Sequence, residues 1–328
     1  MRYTRLGKHG PEVSVIGLGL WQFGQKAWGE LSSTPREIVR AAVEHGITLF
    51  DTAEIYGNGL SEKLLGEALR AEGIPREEVV IATKLAGFNA SGKERALKSL
   101  RASLKRLGTG YIDLYQIHWP PPKWCKLCEV LRGLEEAVDE GLIKYIGLSN
   151  FPVKDVEEAR ACLRKHDIVS VQFQYSLAYR APENDLIPYL KREGIGVLAW
   201  SPLAKGALTG EVKGRNFARL TDPVYRRASR DTELLTTLKK IATDHGATPA
   251  QTALAWLVAK GAVPIPGARK VYHVLSNARA AEVTLSDAEV RTLDEVSVKY
   301  LGTYSGFSPL GRNVPCVIQM LILRIIWI

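Results

Sequence analysis

Ile47-Thr-Leu-Phe-Asp51, continued by Thr-Ala-Glu-Ile-Tyr56, is the stretch on which the fold turns. A short β-prone run ends on a carboxylate, and a helix-length segment over residues 61–71 follows it. The pattern returns downstream. Val79-Val-Ile-Ala-Thr-Lys84 precedes a helix over 93–106, and Ile112-Asp-Leu-Tyr-Gln-Ile-His118 precedes one over 126–140. Such alternation predicts parallel βα units, whose strand ends converge on one mouth when the sheet closes into a barrel. Asp51, Tyr56, Lys84 and His118 would then meet, although the sequence separates them widely.

Outward from this stretch the alternation holds in both directions. Towards the C-terminus come Lys144–Ser149 with a helix over 153–164, Val169–Gln174 with one over 184–193, and Gly196–Trp200. After residues 201–231, rich in Gly, Pro and Arg, helices are expected over 232–245 and from Thr248-Pro249, then a short strand at Ala262–Pro264 and a helix over 271–281. Thr34-Pro-Arg-Glu37 and Ser286-Asp-Ala-Glu289 read as helix starts, each with a hydroxyl cap and a glutamate three residues on. Val13–Leu20 supplies the first barrel strand, and residues 3–15 form a hairpin before it. The expected fold is a (β/α)8 TIM barrel with an N-terminal β-hairpin and extra helices in the loop after strand 7 and at the C-terminus. Residues 1–300 make one domain and 301–328 a tail, a pocket lid followed by an apolar extension.

With 328 residues the chain has enough length for one such barrel and its core without metal or disulfides. Its net charge of +9 is spread along the chain, which favours anionic ligands in general, while no nucleic-acid-binding motif accompanies it. The N-terminus lacks an apolar leader, so a cytoplasmic location is expected. The apolar run 314–328 is interrupted by Arg324 and is too short for a transmembrane span; it is expected to pack on the barrel or on a partner. Cys125-Lys-Leu-Cys128 reads either as two cysteines in a surface loop or as a redox pair at a helix start. No Cys or His spacing makes a metal site.

Chemically, a tyrosine is a poor proton donor or acceptor near neutrality. An adjacent ammonium, Lys84, is expected to lower its pKa, with Asp51 holding the lysine and His118 bonding a substrate oxygen. This set fits carbonyl reduction, in which hydride adds to carbon and charge grows on oxygen. Lys84 as the Schiff-base nucleophile of a class I aldolase is a competing reading.

Residues 46–66, with Ile146-Gly-Leu-Ser-Asn-Phe151, Val197-Leu-Ala-Trp-Ser-Pro-Leu203 and Pro264-Ile-Pro-Gly-Ala-Arg269, resemble the aldo-keto reductase family in order over residues 1–300. The resemblance implies a nicotinamide cofactor held without a Rossmann fold and a catalytic tetrad matched by Asp51, Tyr56, Lys84 and His118. It implies cofactor contacts at Gly19, Leu20 and Trp21 near the nicotinamide ribose, and at Ser149, Asn150 and Gln174 on the carboxamide. Trp200 would stack on the ring, Ser201, Pro202, Leu203, Ala204, Lys205 and Gly206 would form the pyrophosphate loop, and Arg227 would clamp it. Gly267, Arg269, His273, Ser276 and Asn277 match the adenosine end, although His273 and Ser276 depart from the residues common there. Arg269-Lys270 points to NADPH over NADH, with NADH still usable. Trp21, Phe88 and Trp119, with Tyr56 and His118, are expected to line the pocket for a small carbonyl substrate. A regulatory subunit of the same fold that senses nicotinamide is the main alternative, and the sequence leaves oligomeric state open.

Overall fold

The computed structural model describes residues 1–24, 31–123, 125–211, 219, 221–309, 311–314 and 318–319. A hairpin of β1 (Tyr3–Arg5) and β2 (Glu12–Ser14) precedes eight parallel strands. These are β3 (Leu18–Gly19), β4 (Leu49–Asp51), β5 (Val80–Leu85), β6 (Ile112–Ile117), β7 (Ile143–Ser149), β8 (Ile168–Gln174), β9 (Gly196–Trp200) and β10 (Ala262–Pro264). They pair in sequence order. A parallel bridge between Gly19 and Gly267, and a bond from the Gly17 N–H to the Pro264 carbonyl (2.9 Å), join the first strand to the last.

Helices α1 (Pro35–Glu44), α2 (Leu60–Ala71), α3 (Lys93–Leu107), α4 (Leu127–Asp139), α5 (Val153–Cys162) and α6 (Leu186–Glu193) alternate with the strands. After β9 come α7 (Pro223–Ala228), α8 (Thr232–Asp244) and α9 (Pro249–Ala259); α10 (Val271–Arg279) and α11 (Asp287–Val296) follow β10. The capping boxes read from the sequence are present at Thr34 and Ser286, and a third forms at Thr248 with Gln251. Each satisfies amide groups that the first helical turn leaves without partners.

Most of the core lies between helices and sheet, where strands covered on both faces read as continuous apolar runs. A second cluster, including Leu49, Ala82, Leu114 and Leu198, fills the barrel interior and extends to Leu6 of the hairpin. Gly7 abuts Gly196, where an added Cβ would lie 2.6 Å from the Gly196 nitrogen, and Lys8 N–H donates to the Gly194 carbonyl at 2.7 Å. The hairpin thus plugs the N-terminal face and leaves chemistry to the opposite mouth.

One expectation is corrected, and one question the sequence left open is answered. Val13–Leu20 is not one strand: it breaks at Val15–Ile16 into the second hairpin arm and a two-residue barrel strand. Cys128 pairs not with Cys125 but with Cys162 at the end of α5, their Cα atoms 4.8 Å apart. That bond, with Glu135 Oε1 accepting from the Arg164, Lys165 and His166 amides, ties α4 to the turn after α5. No helix among the described residues is long and apolar enough to cross a membrane. The apolar extension lies outside the described residues except for 314, 318 and 319.

Candidate active site

β4, β5 and β6 place Asp51, Lys84 and His118 at or just beyond their C-terminal ends, and the turn after β4 returns Tyr56 over them. Lys84 Nζ donates to Asp51 Oδ1 at 2.5 Å, to the Thr52 carbonyl at 2.8 Å and to Tyr56 Oη at 3.5 Å. The Tyr56 ring meets His118 edge-on at 5.6 Å between centroids. Lys84 is fully buried and Asp51 nearly so, so the pair persists only because the partners hold each other and their remaining polar atoms are bonded. The second Asp51 oxygen accepts from Gln172 Nε2 at 2.8 Å and from Gln116 Nε2 at 3.4 Å. Neither glutamine stood out in the sequence. The signal was their spacing: each lies two residues before a strand-end polar group, and alternation puts both members on the barrel interior.

The electrostatics differ from the expected lowering of the tyrosine pKa. Burial pushes the Tyr56 phenol well above its ordinary value, and the Asp51 charge pushes the same way. Burial also lowers the Lys84 ammonium against the opposing pull of Asp51. Burial, with the Lys84 charge, holds His118 well below the usual imidazole value. At neutral pH the site therefore holds a protonated phenol and a neutral imidazole. Since both groups keep these forms across pH 6–8, kcat at saturating cofactor and substrate should show no step near the ordinary histidine pKa of about 6.5. A step there that disappears in His118→Gln would contradict this assignment.

Trp21 packs on Tyr56 at 6.4 Å, and Phe88 packs on Trp119 at 5.9 Å. His118 Nδ1 and Trp119 Nε1 are buried without a hydrogen-bond partner among the described residues. From the other side, the tail crosses the ends of β7–β9. Tyr304 is buried against Phe173 (5.9 Å), Phe307 N–H donates to the Asn150 carbonyl (3.1 Å), and the Phe307 ring lies 6.5 Å from Trp200. Arg312 anchors this segment on the Pro121 carbonyl and on Asp155.

The expected cofactor residues form a band beside the tetrad. Asn150, with φ +65°, links the Ser149 hydroxyl, the His118 carbonyl and the Trp200 indole N–H through its side chain. Gln174 stands at the rim, level with Trp200 in the β8–β9 register. Leu20 faces the core, while its backbone bonds Asp51 and Ser61. Ser201, Ala204, Lys205 and Gly206 all have positive φ, and such left-handed turns curl the backbone into a concavity that suits an anion. Pro202 and Leu203 complete that loop, and Lys205 closes over it with an ion pair to Asp222 at 2.7 Å.

Arg227 does not take part in this loop. Its guanidinium bonds the Lys299 carbonyl at 2.8 Å and covers the Tyr300 ring. Arg219, which the sequence reading passed over, donates to the Lys205 carbonyl at 3.0 Å instead. It also bears on His273, together with Arg269 and Lys270. Gly267 lies in the turn before α10, whereas Ser276 and Asn277 lie in its second half, with Asn277 buried. A positively polarised helix start, a curled loop and several cations fit a dinucleotide phosphate. Among the described residues no group of His, Cys, Asp and Glu can hold a metal ion.

Comparison with known proteins agrees with this geometry. A sequence model of the Aldo/keto reductase family matches residues 15–298. An uncharacterised oxidoreductase of Mycobacterium tuberculosis strain H37Rv is 42% identical over 288 residues, 84% of this chain and 86% of that protein. The methylglyoxal reductase YeaE of Escherichia coli strain K12 is 34% identical over 284 residues, 86% of this chain and 90% of that protein. The crystal structure of an aldo-keto reductase from Klebsiella pneumoniae in complex with NADPH superposes with a TM-score of 0.74 at 30% identity, covering 92% of this chain and 96% of that one. With the barrel, the strand-end set and these likenesses in agreement, the chain belongs to the aldo/keto reductase family.

Proposed function

We propose that the chain reduces small aldehydes and ketones to alcohols with NADPH, Tyr56 acting as the general acid. The observation that carries this reading is the buried Asp51–Lys84 pair whose ammonium lies 3.5 Å from the Tyr56 oxygen, under a mouth lined with aromatic rings. Residues of the band from Trp200 to Arg269 would hold NADPH, which would supply the hydride. Tyr56 holds its proton until charge grows on the carbonyl oxygen, then gives it up. The Lys84 ammonium stabilises the phenolate that remains, so its charge acts on the product of proton transfer rather than on the resting phenol. Neutral His118 has one N–H to offer the same oxygen, and Asp51 holds Lys84 in line with help from Gln116 and Gln172.

Trp21, Phe88, Trp119 and the tail's Phe307 make a largely apolar mouth with few polar groups, which suits small uncharged carbonyl compounds. The methylglyoxal reductase relationship supports a start with small aldehydes and dicarbonyls. A screen of aldehydes, ketones and sugars with NADPH and NADH tests the reading; absence of turnover across the screen would remove it.

Arg269 is the predicted reader of the 2′-phosphate. Its loss should weaken NADPH binding by roughly 10–150-fold, the value of a charge-assisted hydrogen bond of about 1.5–3 kcal/mol. NADH binding should change little. Equal weakening of both cofactors in Arg269→Ala, measured by fluorescence titration, would put the 2′-phosphate elsewhere.

A further inference from the structure

His273 lies on the first turn of α10, one turn beyond Arg269, and carries a titratable ring into the cationic group described above. The Arg269 amide N–H donates to His273 Nδ1 at 3.4 Å, so the ring is neutral with its proton on Nε2. Three charges bear on it: Lys270 at the start of its own helix, Arg269 in the turn after β10, and Arg219 from the segment after β9. All three are positive. Among the described residues, α9 carries no charged side chain, and none of those on α1 (Arg36, Glu37, Arg40, Glu44) bears on the ring.

Burial and these cations together disfavour the imidazolium. Protonation would also turn Nδ1 from acceptor to donor and set it against the Arg269 N–H. A dianion among the same groups reverses both penalties. It offsets the cations and gives the Arg269 amide and both ring N–H groups something to donate to. We propose that His273 makes discrimination between the two nicotinamide cofactors proton-linked: binding the 2′-phosphorylated form takes up a proton at His273, and binding the unphosphorylated form does not. The inference rests on the NADP(H) reading and on the adenosine end lying at Arg269 and His273.

The sign follows from linkage. A ligand whose binding takes up a proton loses affinity as pH rises, by at most about tenfold per pH unit for one proton. The 2′-phosphate has its own second pKa near 6, so above pH 7 it is already mostly dianionic and adds little to this slope. Preference for NADP+ over NAD+ should therefore shrink severalfold between pH 7 and 8.

Calorimetric titration of NADP+ and NAD+ into the intact protein, in buffers of different ionisation enthalpy at pH 7–8, measures the protons taken up directly. The wild-type protein should take up a substantial fraction of a proton with NADP+ and almost none with NAD+. His273→Gln, whose folding is checked by its circular dichroism and thermal melting, should take up almost none with either. Tight NADP+ binding without uptake, or uptake that survives in His273→Gln, overturns the inference while leaving the cofactor reading intact. Equal affinities for NADP+ and NAD+ in the wild-type protein would overturn the cofactor reading and this inference with it.

Discussion

Tyr56→Phe should lower kcat for aldehyde reduction by about 10²–10⁴, the usual contribution of a positioned proton donor. The substitution removes one oxygen and keeps the ring that packs against Trp21 and His118. Affinity for NADPH, measured by fluorescence titration, should stay within about twofold, since the groups proposed to hold the cofactor do not include the phenol. A high phenol pKa also sets a direction. Reduction uses the protonated form present at neutral pH, whereas alcohol oxidation needs the phenolate, so the oxidative rate should rise steadily towards alkaline pH. A Phe variant with near-normal single-turnover reduction would remove Tyr56 as the acid.

The second large effect is expected at Lys84. Lys84→Met leaves Asp51 buried with two glutamine amides as its side-chain partners among the described residues, and an uncompensated buried charge of this kind costs about 3–5 kcal/mol of stability. Activity should fall at least as far as in Tyr56→Phe, because the phenolate left by proton transfer loses its counter-charge. Removing both charges, in Asp51→Asn with Lys84→Met, should recover much of the stability and none of the activity. Denaturant unfolding of the two single variants and the double variant gives the coupling directly. If the double variant is no more stable than Lys84→Met, the pair does not act as a buried unit.

How far the sequence could be read depended on the kind of physics involved. Strands β4 to β9 were legible because apolar runs covered on both faces contrast strongly with amphipathic helices. The meeting of Asp51, Tyr56, Lys84 and His118 was legible because three of them end such runs, and barrel topology brings strand ends together. Gln116 and Gln172 were hidden inside apolar runs, where only their alternation with His118 and Gln174 marks them as interior. Arg219 was hidden differently, in a segment without periodicity that placed no arginine ahead of Arg227. The Cys128–Cys162 bond joins residues 34 apart through the packing of two helices, which local spacing does not encode. The Tyr56 pKa was read with the wrong sign because Lys84 is visible in the sequence and the burial that outweighs it is not.

Tyr56-dependent carbonyl reduction is measured in a single turnover: excess protein, one equivalent of NADPH and a small aldehyde, with nucleotide and organic products both quantified. One alcohol should form for each NADPH oxidised, at a rate that collapses in Tyr56→Phe although that variant still binds NADPH. Bound NADPH that no aldehyde or ketone oxidises would contradict it in favour of a sensing subunit. Aldehyde consumed without NADPH oxidation and trapped on Lys84 by borohydride would contradict it in favour of Schiff-base chemistry.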